Sequence, residues 1–154
     1  MNRQHIILYT FATVVLATAL IYFILAYNEY TSLLEFAAEG LNGEISELQI
    51  EIALFAGSGI IYLVLLGGIL VKRLKSILPY ALLIVTSTIL IITYIASRTI
   101  GVPIIGVEFY IGKYDMLTKV LQGIIIAISG YLIYRIITFN KSIRQEEKIL
   151  KRKT

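Results

Sequence analysis

The chain has 154 residues, 58% of them hydrophobic and 16% charged, with a mean hydropathy of +0.83. Soluble domains average about 45–50% apolar and about 25% charged residues, so this balance predicts a single-domain integral membrane protein. The lack of cysteine excludes disulfides, thiol catalysis, iron–sulfur clusters and cysteine-bound zinc; the single histidine, His5, excludes a bis-histidine haem or a multi-histidine metal centre within this chain.

The first apolar run, Ile6 to Tyr27, carries no charge and at about 1.5 Å per residue covers a hydrocarbon core of roughly 30 Å. It exceeds the roughly 7–15 residues of a signal-peptide core, and Tyr27-Asn28-Glu29-Tyr30 follows it where a small-x-small cleavage site would be. A retained helix over 6–27 is therefore expected. From Asn28 to Glu51 there are six glutamates and no base. Ser32-x-x-Glu35 matches a capping box, and Leu33, Leu34, Phe36, Ala37 and Leu41 recur at helical spacing. These residues predict a short amphipathic outer segment over 31–48, broken at Asn42-Gly43. A second span follows over 52–71, then the basic turn Lys72-Arg73-x-Lys75. Ser76 and Pro79 suit the start of a third span over 77–97, because proline is tolerated where a first-turn N–H lacks a partner anyway. An outer capping loop over 98–118 leads to a fourth span over 119–139. Arg135 falls in its last turns, where its stem can snorkel, and a basic tail occupies 140–154.

The bases set the expected orientation. Arg3, the 72–75 turn and the C-terminal part from Arg135 onward hold eleven of the fourteen Lys and Arg residues. The positive-inside rule then places both termini in the cytoplasm and the two longer connections outside a cell membrane. The expected fold is all-α, an integral membrane antiparallel four-helix bundle. Net charge of +4 sorted in this way is no nucleic-acid signature, and the tail is expected to meet anionic lipid headgroups at about 1 kcal/mol per base.

The loop between spans three and four is the least uniform stretch. Gly101-Val102-Pro103 and Gly106 read as turns. Ile104, Ile105, Val107, Phe109, Tyr110 and Ile111 are too apolar for a free loop, so the segment is expected to fold back as a cap buried against protein. The stretch from Ser97 to Gln122 carries Ser-Arg-Thr, Gly-x-Pro-x-x-Gly-x-Glu, Gly-x-x-Asp and a lysine before the last helix. It resembles a segment of small, uncharacterised four-helix archaeal membrane proteins, over about a sixth of the chain. The resemblance implies no activity. It groups Arg98, Pro103, Glu108, Gly112, Asp115 and Lys119 as a candidate outer-loop interaction set.

A second candidate is an acidic entrance. Glu44, Glu47 and Glu51 stand at i, i+3 and i+7, one helical face leading into span two. Clustered carboxylates can hold a hard cation or pass protons, yet such a row is more often a solvated face. Within the spans, Thr86, Thr93 and Ser97, the pair Gly57 and Gly59, and the row Gly123, Ala127 and Gly130 suit helix packing. Eleven tyrosines without tryptophan, among them Tyr9, Tyr22, Tyr27, Tyr30, Tyr80, Tyr94, Tyr131 and Tyr134, suit an interfacial aromatic belt. A transport path normally shows an ionisable residue at mid-membrane depth; the spans carry none there, and Gln122, near the outer end of the fourth, is their most polar candidate. No nucleophile–base pair, phosphate loop or zinc spacing is present, so neither a catalytic site nor a cofactor is expected. The expected role is a non-catalytic accessory or structural subunit of a larger membrane complex, such as a respiratory or monooxygenase assembly, held through helix faces and outer loop. The alternative is a small homo-oligomeric channel or transporter with the acidic outer entrance.

Overall fold

The computed structural model describes residues 3–40, 42–72, 76–101 and 112–151. They form four helices: α1 (Arg3–Glu39), α2 (Asn42–Lys72), α3 (Leu78–Thr99) and α4 (Lys113–Lys151). All four are long and apolar enough to cross a membrane, the layout of a multi-pass membrane protein. α1 packs most extensively on α2 and α3 on α4; α1 also meets α4, and α2 meets α3 more sparsely.

Each helix buries one seam. In α1 it is Leu8, Phe11, Val15, Ala19 and Tyr22; in α2 Ser58, Tyr62, Leu65 and Ile69; in α3 Tyr80, Leu83 and Ser87; in α4 Thr118, Gln122, Ile125, Ser129, Leu132 and Ile136. The steps of three and four residues are those of helices that pack side by side along their length. At Gly59, α2 packs against a side chain of α1: a Cβ there would lie 3.0 to 3.2 Å from the Phe23 ring, so a larger residue requires that ring to shift.

Several boundaries differ from the sequence reading. Residues 31–39 are not a separate amphipathic helix but the continuation of α1. Ser32 sits inside that helix with its hydroxyl donating to the Asn28 carbonyl at 3.3 Å, so it does not cap a new one. The chain breaks at Gly40, with φ of 77°, rather than at Asn42-Gly43, because a left-handed residue ends a helix and glycine adopts it without penalty. α2 then starts at Asn42 and runs unbroken to Lys72. α3 starts as its residue types require, with the Leu78 N–H donating to Ser76 Oγ at 3.3 Å and proline in the first turn. It stops at Gly101, φ 79°, whose N–H reaches the Ala96 carbonyl at 3.0 Å. α4 begins at Lys113, ahead of the expected 119, and the helix continues through the basic tail to Lys151.

Candidate functional site

Two polar constructions occupy the bundle. The inner one links all four helices. Gln122 of α4, wholly buried, donates through Nε2 to Tyr22 Oη of α1 at 2.7 Å and to Tyr62 Oη of α2 at 3.3 Å. The Tyr62 hydroxyl lies 2.8 Å from Ser87 Oγ of α3. Either hydroxyl of this pair can be the donor. The Tyr22 and Tyr62 rings stack with centroids 5.9 Å apart, and Phe55 packs on Tyr22 at 6.3 Å. A buried polar group without a partner is costly in a medium that offers none, so this chain fixes the rotation of each helix about its axis.

The outer construction is a chamber of about 780 Å³, within the range of small-molecule sites. Leu25, Leu54, Phe55, Ile89 and Leu90 form its apolar wall, and Leu54 and Ile89 remain half exposed. Its charged lining comprises Glu29 of α1, Glu51 of α2, Arg98 of α3 and Lys113, Asp115 and Lys119 of α4. Arg98 pairs with Asp115, Nη2 to Oδ2, at 3.4 Å, both side chains largely sheltered. The Arg98 guanidinium lies 5.0 Å from the centre of the Tyr94 ring. The Lys119 ammonium lies 4.8 Å from that same ring and 5.8 Å from the Tyr22 ring, and donates to Tyr22 Oη at 3.4 Å. Lys119 thus joins the chamber to the inner network. Each such cation–ring contact contributes about 0.5–2 kcal/mol, more as water is excluded.

Of the predicted outer-loop set, Arg98, Gly112, Asp115 and Lys119 come together in this chamber; Pro103 and Glu108 lie outside the described residues. Starting α4 at Lys113 is what aligns them, because Asp115 and Lys119 then stand one turn apart on one helical face. The acidic entrance is only partly assembled. Glu51 lines the chamber and Glu47 does not, while the Glu44 side chain lies outside the described residues. Among the described residues no three His, Asp or Glu side chains are placed to hold a metal ion.

Gln122 drew attention as the most polar residue of its span; Tyr62 and Ser87 did not. Tyr22 and Tyr80, read as belt residues, are core side chains, whereas Tyr27, Tyr30, Tyr131 and Tyr134 are exposed. The small residues also divide. Gly59 packs tightly, but a Cβ at Gly57, Gly123 or Gly130 would meet nothing within 4 Å. The row on α4 is therefore not used for packing inside this chain. Compared with known proteins, the chain matches no family model, no curated protein and no solved structure.

Proposed function

We propose that the protein is a non-catalytic accessory or structural subunit of a larger membrane complex, associating through the outer face of α4. The observation that carries this reading is the row Gly123, Ala127 and Gly130. Gly123 and Ala127 are exposed, and the space around both glycines is open. Small residues at such spacing let a second membrane helix approach backbone to backbone, which is how helices associate where no hydrophobic force separates them from lipid. Between 22 and 33% of the most apolar window of each helix is buried within the chain, which leaves wide faces for lipid and neighbouring subunits. The reading includes an antiparallel bundle in the cell membrane with both termini cytoplasmic, supported by the gathering of bases at the chain ends and the 72–75 turn.

The channel or transporter alternative draws on Glu51 and the charged chamber. Purification from native membranes in a gentle detergent separates the two. A stoichiometric set of other membrane chains supports the subunit role. A homo-oligomer that conducts ions after reconstitution, and loses conductance in Glu51→Gln, supports the alternative. A lone monomer contradicts both.

A further inference from the structure

We propose that the meeting point of the four helices binds one internal water, held by the unengaged end of the Gln122 amide. This rests on the buried network alone and is independent of how α4 associates. Gln122 is wholly buried, and the oxygens of Tyr22 and Tyr62, at 2.7 and 3.3 Å, both engage one terminal atom of its amide. The other terminal atom, Oε1, is shielded from solvent and has no hydrogen-bond partner among the described residues. Turning the amide over does not remove the deficit. The two tyrosine hydroxyls would then donate to Oε1, and the NH2 group would be left in its place. An amide end left without a partner at such a depth is costly. What answers it must be small, since Gln122 does not line the chamber, and must both donate and accept; water does both. A further partner is at hand on the same buried seam. Thr118, one turn earlier, donates its O–H to the Asp115 carbonyl at 2.7 Å, and its oxygen remains to accept. Tyr22 both bonds to Gln122 and lines the charged chamber, so solvent drawn to those charges lies one side chain from the amide. The Ser129 hydroxyl, also buried without a partner, makes no such demand, because a helical serine can turn to the carbonyl four residues back.

The test is X-ray hydroxyl-radical footprinting of the full-length protein in detergent micelles, read residue by residue by mass spectrometry. A radical formed from a bound water oxidises the ring beside it, whereas a buried ring away from water stays unmodified. Tyr62 and Tyr80 are both wholly buried. Tyr62 bonds to Gln122, while Tyr80 lies about two turns of α3 from Ser87. In wild type, Tyr62 is expected to be oxidised and Tyr80 is not. Gln122→Met, similar in length but without the amide, should lose the Tyr62 oxidation, and Gln122→Glu, which keeps a carbonyl oxygen there, should retain it. An unmodified Tyr62 in wild type would overturn the proposal. So would equal oxidation of Tyr62 and Tyr80, which reports general entry of solvent, or Tyr62 oxidation that persists in Gln122→Met while Tyr80 stays unmodified. A Gln122→Met chain that fails to fold shows both rings oxidised, and the two tyrosines of wild type then decide.

Discussion

The two faces of α4 carry opposite chemistry. Thr118, Gln122, Ile125, Ser129, Leu132 and Ile136 form the buried seam, and Gly123, Ala127 and Gly130 the open row. At about 100° per residue the two rows lie roughly 150° apart. In a soluble helix the inner face would be the apolar one. Here the inner face sets the polar Thr118, Gln122 and Ser129 among Ile125, Leu132 and Ile136, and the open row of small residues lies among exposed large side chains such as Val120, Tyr131 and Tyr134. Where the surroundings are as apolar as the core, polarity and size distinguish the faces and hydrophobicity does not.

The largest expected effect on this contrast comes from the inner face. Gln122→Ala removes the donor to both tyrosines and opens a cavity at the meeting point of four helices, and should cost about 2–4 kcal/mol. Titration of the folded protein with sodium dodecyl sulfate measures it, and a loss near zero would show that the network does not hold the bundle. Next is Gly59→Val, which drives a side chain into the Phe23 ring 3.0 Å away and should cost about 1–3 kcal/mol. Pairing it with Phe23→Ala should recover part of that loss, and strict additivity in the double-mutant cycle would contradict the contact. Tyr62→Phe deletes one hydroxyl between Gln122 and Ser87, for an expected loss of about 0.6–1.7 kcal/mol in the same titration. Smallest of all, Gly123→Leu and Gly130→Leu should each stay within about 0.5 kcal/mol of wild type, as surface substitutions do. A large loss would mean that this row is packed inside the chain after all.

Four apolar runs and the bases between them made the four helices legible from sequence, and Ser76 with Pro79 marked the start of α3 correctly. Helix ends were less legible. Ser32 and Glu35 have the residue types of a capping box but sit where the helix has no reason to stop, and Gly40 ends it through a backbone conformation that no side-chain pattern announces. The chamber was half legible. Arg98, Asp115 and Lys119 stood out as charges among apolar residues, whereas their convergence on Tyr94 depends on where α4 begins. Tyr62 and Ser87 were hidden for a different reason. A lone tyrosine in the middle of the second span and a serine among threonines look like packing residues until the other helices bring Gln122 and Tyr22 beside them.

The central claim, that α4 turns one face inward to hold the bundle and the other outward to meet a partner, is tested most directly by particle mass. The full-length protein and its Gly123→Leu/Gly130→Leu variant would be extracted from native membranes in a gentle detergent and weighed by light scattering coupled to size exclusion. The account predicts a wild-type particle heavier than one chain with its detergent, and a variant that runs as a folded monomer. An identical mass for both, whether monomeric or assembled, would contradict it.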